Sequence, residues 1–220
     1  MHTPATPSRV HPLVWALLMA LLAGCSPTST TASLQAAEPN YAPGWNGVAV
    51  EGAPEMPEGE FTDTEGEPFD LRAAALRKPT LVYFGYTHCP DICPVHMANI
   101  ASALGDSSVR PEQLNVVFVT TDPDRDTPEV LGDYLDNFDA SFIGLTAPQE
   151  KIDEFVVDLG LPEPTLEKPS ESASDDYTVG HPAQVLAFDR QGRARLAYPW
   201  GTRQSQWAED LPKLVREDGS

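Results

Sequence analysis

Two uninterrupted apolar runs of strand length constrain the fold of this chain most strongly. They are TLVYFG at residues 80–85 and LNVVFVT at residues 114–120. Strands that read as continuous apolar runs are typical of parallel sheets, because helices cover both faces. Between the runs, apolar residues recur at helical spacing over residues 95–104, and Gly105 follows as a stop. The pattern predicts a strand, a helix and a second strand parallel to the first.

The remaining globular pattern extends this unit into one α/β domain. The acidic, Pro- and Ser-rich residues 161–176 predict a loop within it. We expect an α/β thioredoxin-like sandwich, a mixed sheet flanked by helices, with an N-terminal hairpin. The other predicted elements are a hairpin over 60–71 leading into a short helix, a helix over 127–138 capped by Thr127 with Pro128 at its first position, a strand at 142–145, a helix at 148–159, a hairpin at 185–198 and a closing helix interrupted by Pro212.

Cys89 and Cys93 follow the first apolar run directly, in the motif CPDICP. In the predicted fold this motif opens a helix at the carboxyl edge of the sheet, where unpaired amides and the helix dipole favour thiolates. Residues four apart share one helix face, so both sulfurs can reach one ion or each other. His181 stands just before the later hairpin and could reach the same edge, which makes it a candidate third ligand.

The ligand types favour copper over zinc at this site. Two thiolates and one imidazole suit copper(I), and the nitrogen is also acceptable to copper(II). A structural zinc site usually has four protein ligands, and only His88, His96 or an acid could supply the fourth. We predict neither histidine as a ligand. A plain stabilising disulfide is the remaining alternative, although a loop this small restricts little of the unfolded chain.

The first 25 residues read as an export signal. The apolar run at residues 13–23 is too short for a confident membrane span and follows Arg9, as in secretory signals. It ends in LAGC, which resembles the bacterial lipobox, where cleavage before the cysteine leaves a lipid on its sulfur. Residues 1–24 are therefore predicted to be a lipoprotein signal peptide and Cys25 a lipid anchor. The alternative is an ordinary cleaved signal with Cys25 a spare thiol.

Charge and composition define the mature chain. Loss of Arg9 with the signal leaves 13 basic against 33 acidic residues, a formal charge of −20. Such an excess repels phosphate, so it argues against nucleic acid as a partner and leaves membrane attachment to the lipid. Residues 25–57, rich in Ser, Thr, Pro, Ala and Gly, predict a flexible tether. Residues 58–218 are the predicted domain, a monomer exported to the periplasmic or extracellular side of the cell membrane.

From about residue 60 to residue 207 the chain resembles the Sco/SenC family. The segments that carry the resemblance are FGYTHCPDICP at 84–94, TDPDRDTPE at 121–129, FIGLT at 142–146 and DYTVGH at 176–181. The family comprises copper-handling proteins with a thioredoxin fold that serve cytochrome c oxidase assembly. The resemblance implies that Cys89, Cys93 and His181 bind copper. It also implies delivery of copper to the dinuclear copper site of oxidase subunit II, or reduction of that subunit's cysteines.

The chain departs from the family pattern beside the histidine. Gly180 stands where the family usually has Asp, and Pro182 where it has a small hydroxyl residue. The missing carboxylate removes a group that could position the loop. Pro182 also lies where thioredoxin-like proteins often hold a cis-proline, which raises the hypothesis of a cis bond there; a trans bond would refute it.

The alternative function is a thiol-disulfide oxidoreductase that needs no metal. In that case Cys89 attacks a partner's disulfide and Cys93 resolves the mixed intermediate. We expect a copper chaperone with such reductase activity as a further capacity, rather than an enzyme that turns over a substrate.

Overall fold

A mixed sheet of eight strands forms the centre of the structure, a computed structural model that describes residues 40–168 and 177–217. The described residues contain ten strands, eight of them in this sheet: β1 (Val48–Ala49), β2 (Glu60–Asp63), β3 (Pro68–Asp70), β4 (Thr80–Gly85), β5 (Asn115–Thr120), β6 (Ile143–Thr146), β7 (Thr165–Glu167), β8 (Thr178–Gly180), β9 (Val185–Phe188) and β10 (Ala194–Tyr198). The helices are α1 (Leu71–Ala75), α2 (Ile92–Asp106), α3 (Pro128–Leu135), α4 (Gln149–Asp158) and α5 (Gln204–Glu217).

The sheet order is β1-β10-β9-β4-β5-β6-β2-β3, and β7 and β8 form a separate antiparallel pair. Within the described ranges no helix is long and apolar enough to cross a membrane. The predicted signal peptide, Cys25 and the predicted tether up to residue 39 lie outside the described residues.

The two apolar runs form the middle of the sheet, as predicted. Strand β4 pairs parallel with β5 and antiparallel with β9, and every residue of β4 and β5 is buried. Alternate side chains of β4 face opposite layers, since side chains along a strand point alternately to the two faces. Leu81 and Tyr83 pack with α2, α3 and α5, whereas Val82 and Phe84 pack with α1 and α4. The α/β thioredoxin-like prediction is confirmed.

Helices α2 and α3 begin where the sequence predicts. Cys93 is the second residue of α2, so the cysteine motif lies between the end of β4 and a helix N-terminus. Thr127 caps α3 by accepting the Val130 amide at 3.4 Å, and Pro128 is the first residue of that helix. Both helices therefore start at the carboxyl edge of the parallel strands, where the candidate ligands are expected.

Three local expectations are wrong. The predicted loop at 161–176 contains strand β7, whose three residues are all exposed and so carry no apolar signal; residues 169–176 of that prediction lie outside the described residues. Helix α5 continues through Pro212, because burial of Trp207 and Leu211 against the sheet outweighs the one helix hydrogen bond that proline removes. The peptide bond before Pro182 is trans, because the described residues contain no cis bond.

Residues 40–57 are folded structure rather than tether, which corrects the predicted boundary at residue 58. Strand β1 adds to the edge of β10, with Val48 opposite Ala197, and a bridge joins Glu55 to Arg193. Met56 is completely buried in the layer that contains α1 and α4. The many Pro, Gly and Ala residues of this segment conceal its fold, because pairing with an open strand edge uses backbone groups and little apolar surface.

Replacement of Met56 tests whether this segment belongs to the domain. We expect Met56→Ala to lower the free energy of unfolding by about 2–5 kcal/mol, because it leaves a cavity in a packed layer. Met56→Leu, which conserves volume, should cost less than about 1.5 kcal/mol. Urea unfolding of the three proteins measures the difference. If Met56→Ala and the unaltered protein unfold at the same urea concentration, residue 56 is not part of the core.

Candidate metal centre

The two sulfurs meet at the start of α2. Asp91, the residue that caps the helix, makes no side-chain capping bond. The Sγ of Cys89 instead accepts the backbone amide of Cys93, at 3.4 Å. Gly85, the last residue of β4, lies next to the Sγ of Cys93: a Cβ at residue 85 would be 2.7 Å from that sulfur. The strand can therefore pass this close to the sulfur only because residue 85 has no side chain.

His181 reaches the sulfurs from a distant part of the chain. It follows β8, which belongs to the small β7–β8 pair rather than to the main sheet. Its Nε2 lies 3.5 Å from the Sγ of Cys93 and 3.9 Å from the Sγ of Cys89. All three ligand atoms lie within 4.8 Å of one another. Among the residues described, these three form the group of histidine, cysteine and acidic side chains that could hold a metal ion.

The spacing and orientation of the three side chains fit a shared ion. Metal bonds to sulfur or nitrogen are about 2.0–2.3 Å, so three ligands in a plane around an ion are about 3.7 Å apart. The nitrogen-to-sulfur distances in the structure, 3.5 and 3.9 Å, bracket that value. The Nδ1 of His181 lies 3.1 Å from the carbonyl oxygen of Pro182, which can only accept a hydrogen bond. Nδ1 therefore carries a proton, and when Nε2 is free of a proton, as metal binding requires, its lone pair faces the sulfurs.

The two cysteines differ in charge and access. Neither forms a disulfide in the structure; Cys89 is 9% exposed and Cys93 is completely buried. A hydrogen bond from Cys93 lowers the pKa of Cys89, and bonds from His181 and from backbone amides lower it further, against the opposing effect of burial. Burial raises the pKa of Cys93. The metal-free site therefore holds one thiolate and one thiol, and Cys93 must release its proton when a metal binds.

Aromatic rings form the inner wall of the site. The hydroxyl of Tyr83 lies 3.5 Å from the Sγ of Cys93 and donates to it. Burial raises the pKa of Tyr83, so this hydroxyl keeps its proton. The rings of Tyr83 and Tyr86 contact the ring of His181 edge-on, with centroids 5.9 and 5.7 Å away. These rings fix the plane of the imidazole and keep water from its inner side.

A buried carboxylate fastens the cysteine loop to β5. Asp126 is fully buried and accepts hydrogen bonds from the amide and hydroxyl of Thr87, at 2.9 and 2.6 Å. It also accepts the hydroxyl of Thr120 at 2.6 Å. Thr87 lies two residues before Cys89, so the carboxylate sets the path of the chain into the motif. No local sequence pattern indicates this contact, because Thr87 and Asp126 are 39 residues apart in the chain.

Arg125, Asp122 and Tyr177 fasten the histidine arm. The guanidinium of Arg125 lies 3.6 Å from the centroid of the Tyr177 ring and donates to its backbone carbonyl at 3.2 Å. Both side chains also bond to the carboxylate of Asp122, the tyrosine hydroxyl at 2.7 Å and the guanidinium through a close ion pair. Tyr177 immediately precedes β8, so these contacts hold the start of the arm against the loop after β5.

The structure explains why residue 180 is glycine. Gly180 pairs with Thr165 across the β7–β8 pair. A Cβ at residue 180 would lie 2.6 Å from the hydroxyl oxygen of Thr165, closer than side chains approach one another. An aspartate here, as in the family pattern, would require Thr165 to move. The strand pair and the Arg125 contacts thus hold the arm without that carboxylate.

The neighbouring histidines, His88 and His96, have other partners. The side chain of His88 is 54% exposed, and its Nδ1 bonds to the hydroxyl of Thr87. His96 is buried, and its Nε2 lies 3.1 Å from the carbonyl oxygen of Ala183. That contact ties α2 to the segment just after His181, and sequence reasoning gave no sign of it.

Comparison with known proteins identifies relatives over most of the chain. The family model described as SCO1/SenC matches residues 50–216. The SCO2-like protein RP587 of Rickettsia prowazekii is 34% identical over 139 residues, which are 61% of this chain and 64% of that protein. This chain thus aligns with slightly less than two thirds of that relative.

Solved structures of Sco proteins are also similar to this chain. The copper-bound structure of Bradyrhizobium japonicum ScoI has a TM-score of 0.63 and 29% identity, covering 73% of this chain and 99% of its own. The copper-bound structure of yeast Sco1 has a TM-score of 0.65 and 25% identity, covering 74% of this chain and 89% of its own.

The unequal thiols can be tested by titration of the reduced, metal-free protein. We expect one thiolate per molecule to persist as the pH falls through neutrality, because the lowered pKa of Cys89 keeps it ionised well below the range of a free thiol. The ultraviolet absorbance of the thiolate measures this fraction, and Cys89→Ser should abolish it. Two thiolates that appear together near the ordinary cysteine pKa would contradict the assignment.

Proposed function

The chain belongs to the SCO1/SenC family, and from that premise we propose that it carries copper on Cys89, Cys93 and His181. We further propose that it passes the copper to the dinuclear copper site of cytochrome c oxidase subunit II. The observation that supports this most directly is the convergence of one imidazole nitrogen on two sulfurs at 3.5 and 3.9 Å. The copper-bound structures of two relatives support copper as the cargo.

The ligand set matches the proposed cargo chemically. Two sulfurs and one nitrogen are soft, low-coordinate ligands of the kind that copper(I) prefers, and the imidazole extends the site to copper(II). Such a set leaves the ion open to an incoming ligand. Transfer then proceeds by exchange: a soft ligand of the acceptor binds as one ligand of this site leaves.

The order of exchange follows from burial. Cys93 lies at the bottom of the site, under the hydroxyl of Tyr83, and its sulfur is held by the first turn of α2. Cys89 is 9% exposed whereas Cys93 is completely buried, and His181 is half-buried at the end of its arm. An acceptor therefore reaches the Cys89 and His181 side of the ion first, and Cys93 is the last ligand to let go.

The second candidate function, reduction of a partner's disulfide, is favoured by the unequal thiols. The Cys89 thiolate attacks one sulfur of the partner's disulfide, the partner's S–S bond breaks, and one partner thiolate leaves. Cys93 then loses its proton and attacks the Cys89 sulfur, which releases the second partner thiolate. Two electrons pass to the partner, and this protein is left with a Cys89–Cys93 disulfide. Such a step would prepare the cysteines of an oxidase copper site.

Replacement of His181 separates the two activities. We expect His181→Ala to bind copper much more weakly, because one of three ligands is lost, while the cysteine pair still reduces a model disulfide. His88→Ala is the matched control: it removes an exposed histidine next to Cys89 that lies outside the ligand group. Competition with a chromophoric copper(I) chelator measures affinity, and thiol release measures reduction.

Two results would decide against the proposal. Copper affinity of His181→Ala equal to that of the unaltered protein would refute the three-ligand site. Equal loss of affinity in His181→Ala and His88→Ala would show that the effect is not specific to the ligand group.

We also propose that a lipid on Cys25 holds the exported protein at the cell membrane. The LAGC motif that ends at Cys25 supports the proposal; the excess of acidic residues is repelled by anionic lipids, so charge would not provide the attachment. Cys25→Ser should move the protein from the membrane fraction to the soluble fraction of a bacterial host, without a change in copper binding. Continued sedimentation of Cys25→Ser with membranes, as for the unaltered protein, would argue against the lipid anchor.

A further inference from the structure

His96 is a buried histidine beside the site that the proposed chemistry does not use. It lies in α2 three residues after Cys93, and only 1% of its surface is exposed. Its ring stands between two aromatic rings, with centroid distances of 5.1 Å to Tyr83 and 5.4 Å to Trp200. A polar ring buried among aromatic rings is costly unless it makes a compensating hydrogen bond.

One hydrogen bond gives His96 a defined direction. Its Nε2 lies 3.1 Å from the carbonyl oxygen of Ala183, and a carbonyl can only accept, so Nε2 carries the proton. The other nitrogen, Nδ1, has no partner within residues 40–168 and 177–217. Burial lowers the pKa of His96 to about 4, so the ring is neutral at neutral pH. The neutral ring thus has a single hydrogen-bonding role, as a donor to Ala183.

The position of Ala183 gives that bond its importance. Ala183 lies two residues after the candidate ligand His181 and two residues before β9 begins. The upstream end of this segment is held by the Arg125, Asp122 and Tyr177 contacts. Its downstream end is joined by His96 to α2, the helix that also carries Cys93. The positions of Cys93 and His181 are thereby both fixed by α2.

We propose that His96 is a positioning residue that holds the His181 segment at bonding distance from the two sulfurs. In this chain the hydrogen bond to Ala183 supports a histidine loop that has glycine, not a carboxylate, at residue 180. The proposal rests on the proposed copper function, because it assumes that His181 binds copper. The hydrogen bond from His96 holds the His181 segment in the metal-free protein as well.

The test compares two substitutions that differ in donor capacity. His96→Phe keeps an aromatic ring between Tyr83 and Trp200 but removes the N–H group. His96→Gln keeps an N–H donor on a side chain long enough to reach the carbonyl of Ala183. We expect copper affinity to fall about 10- to 100-fold in His96→Phe, the usual effect of removing a group that orients a metal ligand, and to be largely retained in His96→Gln.

A spectroscopic measurement separates positioning from general stability. In the copper(II)-loaded protein, electron paramagnetic resonance should show an imidazole nitrogen in the unaltered protein and in His96→Gln, and a weakened or absent nitrogen signal in His96→Phe. Asn99→Ala is the matched control. Asn99 lies one turn further along α2, and its amide donates to the carbonyl of Thr202 at 3.4 Å, in a loop that does not carry His181. Its replacement should leave the nitrogen signal unchanged.

Amide hydrogen exchange of residues 181 and 183–185 in the metal-free proteins distinguishes failure of the copper proposal from failure of the His96 proposal. Faster exchange there in His96→Phe, but not in Asn99→Ala, is the expected result and would support positioning even if the unaltered protein bound no copper. If the unaltered protein bound no copper but exchange changed in this way, the proposed copper function would be refuted and the role of His96 would stand. Equal exchange in all variants, or a nitrogen signal in copper(II)-loaded His96→Phe as strong as in the copper(II)-loaded unaltered protein, would overturn the role of His96.

Discussion

The site depends on one constraint: a histidine almost 90 residues away in sequence must be held against two sulfurs at the start of a helix. The sulfurs need no special arrangement to meet each other, since they are four residues apart and one already accepts the amide of the other. The imidazole is different, because it stands on an arm outside the main sheet. Contacts on both sides of His181 restrain that arm, at Tyr177 before it and at Ala183 after it.

The electrostatics of the site follow from the same geometry. A thiolate at a helix N-terminus gains from backbone amides and from a neighbouring thiol, whereas a sulfur buried beneath it keeps its proton. Because of this difference, Cys89 can act as a nucleophile or as the first sulfur to bind an ion. Cys93 is the sulfur that stays fixed at the bottom of the site. The same pair can therefore serve copper exchange and disulfide reduction. The imidazole is the group that distinguishes the two uses, because only the metal site requires it.

The sequence is informative where a feature repeats along the chain and silent where it depends on one contact. The apolar runs of β4 and β5, the cap at Thr127 and the cysteine motif at a helix start were predictable, because burial on two faces and capping leave local patterns. The folded segment around Met56 was not, since its pairing with β10 uses backbone groups. Nor were the roles of Asp126 and His96, whose partners Thr87 and Ala183 are set by tertiary structure. Gly180 was noticed as a departure, but only the distance to Thr165 explains it.

X-ray absorption at the copper edge of the copper(I)-loaded protein tests the central claim most directly, because it counts the atoms bound to the ion. Two sulfur neighbours and one nitrogen neighbour are predicted, with the nitrogen lost on replacement of His181. A shell of sulfur atoms alone in the unaltered protein, or a nitrogen that survives that replacement, would contradict the account.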